Sequence, residues 1–499
     1  MNSGSRKDPE ISAAMVPDWR ATLSGITQAI RRVNLDRNDS RSMQTQLTAH
    51  LKRMIQAGEL TAGERLPSTR ELASELAVSR NTVVAAYEML LGQGYLESQL
   101  RSGFRVNKAA RAFQARPVTA TPERRQQRRM LSPVAPVPFR PTQPDVNLFP
   151  LQIWNRHRNR ILKSSTSLLH YQSRFSVGLD ILRRNVADYL RDSRGVRCEW
   201  QEVAITNGSQ QALYLLAQLL LKPSSRVLME DPGYPGARNA WSHAGAEIVP
   251  AKIDEDGIEL PAKTSSKMSL IYVTPSHQFP MGACMSLARR LALLKMAYTS
   301  GTWIVEDDYD AEFRYTSAPL PSLQSLDEQR RVIYIGSFSK TLFPGLRMGY
   351  VVLPPELVDR FCALKSIVDD YSPLIDQATL AAFLESGAFY AHLRRCRRLY
   401  AERQNLFLDQ VTHLGLPLHF PVTGRGMNLA ALLSNGANDS SLSIRFKESG
   451  LDIPPLSRYA VKPVQPGLLF GLAAFSSREI YKGVEAMARV FSKSYGTGT

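Results

Sequence analysis

This chain carries the run Gly336-Ser337-Phe338-Ser339-Lys340-Thr341-Leu342-Phe343-Pro344-Gly345-Leu346-Arg347-Met348-Gly349. The run sets a single lysine, Lys340, among small hydroxyl residues and places Arg347 further along. A phosphate-bearing aldehyde needs these groups. A lysine amine forms an imine (Schiff base) with the carbonyl, serine hydroxyls donate to phosphate oxygens, and a guanidinium neutralises the charge. The run therefore predicts that Lys340 binds an aldehyde cofactor covalently.

Short apolar strands alternate with helical stretches on the N-terminal side of this run. The predicted strands are residues 203–206, 226–230, 269–273, 303–306 and 332–335. Near-continuous apolar strands are typical of a mostly parallel sheet that is covered on both faces. Ligands collect at the carboxyl ends of the strands in such sheets. The pattern therefore predicts an α/β domain with its site at that edge.

Three polar segments lie in or beside the turns that follow these strands. Gly208-Ser209-Gln210 stands between a strand and a helix N-terminus, which suits a phosphate but is weak evidence alone. Asp307 follows a strand and would keep a pyridine nitrogen protonated, although a helix cap or surface acid is also possible. Tyr234 stands in the turn 231–235 and could stack on a flat ring, but a tyrosine alone in such a turn is more often structural.

Residues 41–109 show a different pattern. Apolar residues at helical spacing predict a first helix at 41–57 that ends at Gly58. A capping box at 68–71 predicts a second helix, and Ser79 predicts the start of a third. A predicted hairpin follows, with strands at 95–97 and 104–106. A helix pair followed directly by a hairpin indicates a winged helix-turn-helix.

The N-terminal residues of the second helix in such a pair enter the major groove of DNA. The first helix of the pair and the wing can contact the phosphate backbone, and a glycine lets the wing tip approach closely. The arginines could instead form ordinary surface ion pairs. The predicted DNA contacts are Arg70, Arg80, Asn81, Thr82, Arg101 and Gly103.

Composition agrees with two or more domains in a chain of 499 residues. The net charge is +17, and residues 1–135 carry 21 Lys and Arg against 12 Asp and Glu, an excess of nine. This excess favours a polyanionic partner, although a basic tail would also explain it.

We expect a cytoplasmic protein, because the chain shows neither a membrane-length apolar run nor a signal peptide. Its four cysteines are predicted to be buried, reduced thiols without metal spacing.

Two family resemblances follow from these motifs. Residues 66–73 and 79–83 closely resemble the winged helix of the GntR family, whose operator contacts match Arg70, Arg80, Thr82 and Gly103. Residues 145–495 resemble the fold-type I pyridoxal-phosphate enzymes of the aspartate aminotransferase class. The segments 230–236, 276–280 and 306–310 resemble those of MocR/GabR-type regulators, in which these two domains are fused.

The resemblance implies pyridoxal 5'-phosphate as the cofactor and a role for each site residue. Lys340 would carry the internal aldimine, Asp307 would pair with the pyridine nitrogen, and Tyr309 with the phenolic oxygen. Tyr234 would stack on the ring, and His277 and Gln278 would lie near it. The residues that would hold the phosphate are Gly208, Ser209, Gln210, Ser337, Arg347 and Tyr171 from the neighbouring subunit.

The predicted organisation has four parts. Residues 1–40 are a flexible extension, 41–109 the winged helix, 110–144 a basic linker rich in Pro and Arg, and 145–499 the aminotransferase-like effector domain. We expect a homodimer on double-stranded operator DNA whose effector domain senses an amine, an amino acid or the cofactor itself. A catalytically active aminotransferase and an inert dimerisation scaffold are the alternatives.

Two departures from the family pattern concern the effector. The spacing from Tyr171 to Gly178 is longer than usual, which makes the role of Tyr171 uncertain. Aminotransferases place a carboxylate-binding arginine near the C-terminus, and residues 467–471 contain none. Either Arg425 or Arg458 takes that role, or the effector need not be an α-amino acid.

Overall fold

The computed structural model describes residues 33–39, 41–99, 103–113, 137–170, 173–261, 267–315, 321–434 and 437–495. The chain divides into two compact units, Met1–Pro133 and Val134–Thr499. Much of the predicted extension and linker lies outside the described residues, and so do Arg101 and Tyr171. No helix in the described part of the chain is long and apolar enough to cross a lipid bilayer.

The described residues of the first unit form three α-helices and a two-stranded antiparallel sheet. They are α1 (Met43–Ala57), α2 (Thr69–Glu75), α3 (Arg80–Gly92), β1 (Leu96–Gln99) and β2 (Gly103–Val106). The capping box is confirmed, since Ser68 and Glu71 satisfy each other's backbone N–H groups. Ser79 caps α3, and Gly58 ends α1 in the left-handed conformation. The core between the helices includes fully buried Leu47, Leu51 and Tyr87. The predicted winged helix is therefore confirmed.

The second unit is built on a seven-stranded sheet of order β3-β11-β10-β9-β8-β4-β5. All neighbouring strands are parallel except β11, which is antiparallel to both β10 and β3. The strands are β3 (Val203–Thr206), β4 (Arg226–Glu230), β5 (Glu247–Ala251), β8 (Leu270–Val273), β9 (Trp303–Asp308), β10 (Val332–Ser337) and β11 (Gly349–Val352). The five strands expected from the sequence are present, and β5 and β11 were not predicted.

Helices cover both faces of this sheet because its strands are apolar on both sides. On β10, Ile333 and Ile335 pack into one core cluster and Tyr334 into the cluster on the opposite face. The helices of the large lobe are α4 (Leu151–Ser164), α5 (Asp180–Arg194), α6 (Ser209–Leu220), α7 (Pro235–His243), α8 (Leu287–Ser300), α9 (Phe338–Thr341), α10 (Pro355–Asp369), α11 (Leu374–Glu385) and the long α12 (Ala388–His413).

A smaller C-terminal lobe packs around a three-stranded antiparallel sheet of order β12-β13-β14. Its elements are β12 (Leu418–His419), β13 (Asn428–Leu433), α13 (Asp439–Glu448), β14 (Gly467–Gly471) and α14 (Ser477–Tyr495). Phe139 precedes the large lobe in sequence but is fully buried in this lobe. The remaining β6 (Ile253–Asp254) and β7 (Gly257–Ile258) form a hairpin.

The cysteine prediction is partly wrong. All four are free thiols, but only Cys198 and Cys396 are buried. Cys284 and Cys362 are partly exposed; Cys284 stands in the loop before α8 and Cys362 on α10.

Candidate functional site

Lys340 lies in the short helix α9, directly after the carboxyl end of β10. Ser337 caps this helix, since its hydroxyl accepts from the amide of Ser339 at 3.2 Å. The pKa of the Lys340 amine is lowered to about 8, mainly because of burial; Asp310 and Asp307 oppose this shift, and Arg347 contributes to it. An amine with a lowered pKa is neutral more often at pH 7 and is a better nucleophile.

The Lys340 side chain enters a cavity of about 110 Å³ at the carboxyl edge of the sheet. Parallel strands end there, and this edge is where α/β folds bind their ligands. The nine lining residues are Thr142, Ser209, Tyr234, Tyr272, Thr274, Phe279, Asp307, Tyr309 and Lys340.

Asp307 stands near the end of β9 and presents a buried carboxylate to this cavity. Its Oδ2 accepts a 2.7 Å hydrogen bond from the hydroxyl of Tyr272, whereas Oδ1 is buried without a partner among the described residues. Burial raises the pKa of Asp307 to about 6, against the lowering effect of Tyr272. An unpaired buried acceptor suits a cationic ring N–H, because leaving it unpaired is costly.

The predicted phosphate residues come from three separate elements. Gly208 (φ +85°) leads from β3 into α6, whose first two residues are Ser209 and Gln210. The guanidinium of Arg347 approaches this helix start, with Nη2 at 3.3 Å from the carbonyl oxygen of Asn207. Ser337 is the last residue of β10. Free amides at a helix N-terminus beside a guanidinium form an arrangement suited to a phosphate group.

Aromatic rings form one wall of the cavity. Tyr234 and Tyr309 each pack edge-to-face against Phe279, with ring centroids 5.8 and 5.9 Å apart. The Tyr234 hydroxyl is 3.5 Å from Oε1 of Gln210. A flat heterocycle in this cavity would therefore meet aromatic and apolar surface on one side.

His277 and Gln278 are one layer further from the cavity and are not among its lining residues. The His277 Nδ1 is 2.8 Å from Oδ1 of Asp310 and 3.0 Å from the hydroxyl of Tyr309, and the two rings are stacked. The Gln278 amide donates to the carbonyl of Pro232 at 2.9 Å. The His277 contacts support Tyr309 from outside the cavity. A direct contact of His277 or Gln278 with the cofactor ring stays a prediction.

Five of the predicted DNA contacts fall within the described residues of the winged helix. Arg80 and Asn81 are exposed in the first turn of α3, and Thr82 is half-buried there with its hydroxyl 2.9 Å from that of Ser79. Arg70 is exposed in the first turn of α2. Gly103 opens the second wing strand with φ +83°, a conformation that side chains disfavour.

Sequence reasoning missed four residues of the cavity wall, which are Thr142, Tyr272, Thr274 and Phe279. Tyr272 lies within an apolar strand, where its hydroxyl gave no signal of a role. Thr142 accepts a 2.9 Å hydrogen bond from Nζ of Lys340 through its carbonyl. Neither Arg425 nor Arg458 lines the cavity. Arg458 is exposed beside Tyr459, and Arg425 lines other surface clefts.

Family comparisons agree with this geometry. Residues 43–106 match the model of the gntR family of bacterial regulatory proteins. Residues 146–449, more than half of the chain, match the model of class I and II aminotransferases. A probable rhizopine catabolism regulatory protein, MocR of Rhizobium meliloti, is 39% identical, with 92% of this chain and 95% of that protein covered.

The chain belongs to the MocR family of transcriptional regulators. Two further relatives of this MocR-type regulator have more specific names. The transcriptional regulator TauR of Rhodobacter capsulatus is 34% identical over 90% of this chain and 96% of its own length. The pyridoxine biosynthesis regulator PdxR of Corynebacterium glutamicum is 32% identical over 89% and 94%.

Solved structures of similar fold are aminotransferases. LysN, the α-aminoadipate aminotransferase of Thermus thermophilus, was solved with N-(5'-phosphopyridoxyl)-L-leucine. It is 30% identical, has a TM-score of 0.66, and the match covers 72% of this chain and 92% of LysN. Kynurenine aminotransferase of Pyrococcus horikoshii has a TM-score of 0.68 at 23% identity, covering 77% and 97%, and supports the fold alone.

The MocR-type regulator is therefore a DNA-binding protein whose cofactor is pyridoxal 5'-phosphate. Its own residues fit the cofactor: around one cavity lie a half-buried lysine, a buried carboxylate with one oxygen unpaired among the described residues, and a helix N-terminus beside a guanidinium.

Proposed function

We propose that this MocR-type regulator senses a small amine or amino acid, or pyridoxal phosphate itself, at Lys340 and changes its operator binding in response. The supporting observation is that the buried, unpaired Oδ1 of Asp307 lines the same cavity as the Lys340 amine. When bound, the cofactor supplies an electrophilic carbonyl carbon to which primary amines attach. The Lys340 amine, with its pKa lowered to about 8, is poised to leave and rejoin that carbon.

We further propose a role for each site residue. Asp307 would hold the ring nitrogen and Tyr309 the phenolic oxygen, while Tyr234 stacks on the ring. His277, held by Asp310, would keep Tyr309 in place, with Gln278 supporting the same loop. The phosphate would be held by Gly208, Ser209, Gln210, Ser337 and Arg347, with Tyr171 added from a second subunit.

Operator contact would run through the winged helix. Arg80, Asn81 and Thr82 stand at the start of α3, the position that enters the major groove in this fold. Arg70 and the wing residues Arg101 and Gly103 would contact the backbone. The domain limits 41–109, 110–144 and 145–499 remain part of this proposal.

A homodimer is also proposed. Nine apolar side chains of the second unit are exposed at 48% or more among the described residues, and Ile367 at 82% is the most exposed of them. Where such side chains form one contiguous patch, they favour a protein interface. The proposal predicts that Ile367→Asp lowers the mass measured by sedimentation to that of one chain. Ile444→Asp, at an exposed position on α13, is the matched control and should leave the mass unchanged.

The decisive experiment titrates the cofactor-loaded protein with a panel of primary amines and amino acids. The absorption spectrum and the affinity for operator DNA are read on the same samples. An effector should change both at the same midpoint concentration, and Lys340→Ala should abolish both responses. Lys222→Ala removes an exposed lysine and should retain them. An amine that changes operator affinity equally in Lys340→Ala contradicts sensing at Lys340.

The alternative function is an active aminotransferase, favoured by the retention of Lys340, Asp307 and Tyr309 around one cavity. Incubation with an amino donor and a keto acceptor separates the two functions. A sensor should produce at most about one product per cofactor, whereas an enzyme should turn over many times. Protein that holds no cofactor and still binds its operator normally would favour the inert scaffold.

A further inference from the structure

The hydrogen bond from Nζ of Lys340 to the carbonyl of Thr142 involves a backbone conformation at Thr142 that the cofactor site alone does not explain. Thr142 adopts φ +61°, a left-handed conformation that is unfavourable for a residue with a side chain. Its amide donates to Oδ1 of Asn428 at 2.7 Å. The backbone of Thr142 is therefore held in a disfavoured shape with its carbonyl directed at the lysine.

Residues 137–145, here called the strap, are fixed to the C-terminal lobe on one side of Thr142. The Phe139 ring packs edge-to-face on Phe407 and Phe470. Arg140 forms a 2.6 Å ion pair with Asp452, and the carbonyl of Phe139 accepts from the amide of Gly471 at 2.8 Å. This end of the strap is therefore held by that lobe.

The other end of the strap is fixed to the long helix α12. The amide of Asp145 donates to the hydroxyl of Tyr400 at 3.0 Å, and its carboxylate pairs with Arg403 at 2.9 Å. Thr142 lies between the two anchors. Lys340, in contrast, belongs to the large lobe, in the helix α9 that follows β10, so its contact with Thr142 joins the two lobes at the cavity.

We propose that Thr142 is a positioning residue whose carbonyl competes with the cofactor for Nζ of Lys340. The strap is then held by this hydrogen bond only while the lysine amine is free. The inference rests on the proposed function. The strap is the first described part of the chain after the segment 114–136 that leads from the winged helix. A change at the strap is therefore a change at the point where the effector domain is joined to the DNA-binding domain.

The number of hydrogens on Nζ gives the chemical reason. While Nζ is doubly bonded to the cofactor's carbonyl carbon, it carries at most one hydrogen. When a primary amine takes over that carbon, the carbon–Nζ bond breaks, a carbon–nitrogen double bond forms to the incoming nitrogen, and two hydrogens pass from that nitrogen to Nζ. The freed Lys340 amine can again donate a hydrogen bond to the Thr142 carbonyl. This hydrogen bond then joins the two lobes.

Hydrogen–deuterium exchange of the strap amides in the full chain tests this competition. In cofactor-free protein, strap amides of Lys340→Ala should exchange on the order of tenfold faster than those of wild type, because a hydrogen bond from a charged donor is lost. Hydroxylamine, which displaces lysine from pyridoxal phosphate, should return the loaded wild type to the slow exchange of the cofactor-free state. Equal exchange in cofactor-free wild type and Lys340→Ala overturns the proposal.

Variants at Thr142 give an independent measurement. Thr142→Pro forbids φ +61° and removes the amide bonded to Asn428, so pyridoxal phosphate should bind on the order of tenfold more tightly once the strap no longer competes. Thr142→Gly accepts the same φ and should keep the slow exchange. Ser224→Pro, at another positive-φ position on an exposed turn, controls for the proline itself. Unchanged or weaker cofactor binding in Thr142→Pro counts against the proposal, and Asn428→Ala provides a second variant if Thr142→Pro does not fold.

Failure of this inference can be distinguished from failure of the proposed function. Borohydride reduction and peptide mapping report whether the cofactor is attached to Lys340 at all. Absence of that adduct refutes sensing at Lys340, while the comparison of cofactor-free proteins remains valid. An adduct without any difference in strap exchange refutes only the role of Thr142.

Discussion

The hydroxyl of Tyr272 donates to Oδ2 of Asp307 at 2.7 Å and leaves Oδ1 of the same carboxylate buried without a partner among the described residues. This hydrogen bond orients the Asp307 carboxylate through Oδ2 and leaves Oδ1 available to a ligand in the cavity. Without a ligand, the buried charge opposes folding, and burial is accordingly the main cause of its raised pKa of about 6.

Asp307→Asn is therefore expected to have opposite effects on stability and on cofactor binding. The cofactor-free variant should be more stable than wild type at pH 8 by on the order of 2 kcal/mol, because a buried unpaired charge is removed. Its affinity for pyridoxal phosphate should fall by about 1.5–3 kcal/mol, the contribution of a charge-assisted hydrogen bond. Thermal unfolding and spectral titration measure the two quantities.

The stability gain should depend on pH with a definite sign. The folded pKa of Asp307 is raised above its unfolded value, so the penalty of the charged form develops as pH rises from about 3.8 to about 6 and is constant above that. The difference between the two proteins should therefore be small at pH 4 and constant above pH 7. Asp359→Asn, at an exposed position on α10, is the control for loss of a charge. A variant that is less stable than wild type at pH 8 refutes the assignment.

The rate of cofactor attachment to Lys340 should follow the titration of its amine. Only the neutral amine attacks a carbonyl, and the pKa is lowered to about 8 mainly by burial. Stopped-flow absorbance should show a rate that rises about tenfold per pH unit below pH 8 and levels off above it. The rate of cofactor attachment to Nα-acetyl-lysine in solution is the reference, and this rate should continue to rise toward pH ~10.4. A protein rate that continues to rise beyond pH 9 is inconsistent with a buried amine.

Arg80→Ala is expected to weaken operator binding by about 1–3 kcal/mol if the guanidinium contacts a base. Anisotropy titrations with operator and with unrelated DNA distinguish the two kinds of contact. Loss on the operator alone indicates a base contact, whereas equal loss on both and a shallower salt dependence indicate a phosphate. Arg53→Ala removes the same charge from α1 and serves as the control. If Arg53→Ala weakens binding as much as Arg80→Ala, net charge rather than position explains the effect.

The capping box at the start of α2 should contribute measurably to the winged helix. Ser68→Ala removes the acceptor for the amide of Glu71 and should destabilise the helix by ~1 kcal/mol. Hydrogen exchange of the Leu72 and Ala73 amides in the full chain should become about fivefold faster. Ser74→Ala, at an exposed site in the same helix that caps nothing, should exchange as wild type does. The same rate in both variants would mean that the box is not stabilising.

Local patterns predicted much of this protein correctly. The caps at Ser68 and Ser79 act between residues three apart, so the sequence alone identifies them. Apolar strands such as Val203–Thr206 could be recognised because both of their faces are buried. The antiparallel β11 was missed, since direction in a sheet depends on neighbours that are distant in sequence.

The sequence by itself determined that a winged helix precedes an α/β domain and that Lys340 stands at the end of a sheet strand, because capping, strand burial and strand-to-helix turns are local properties. Only the tertiary structure brought Tyr272 to Asp307, and Thr142 to Lys340 across 198 residues. Contacts between residues so far apart depend on how the lobes pack, and a backbone carbonyl such as that of Thr142 carries no signature in the sequence.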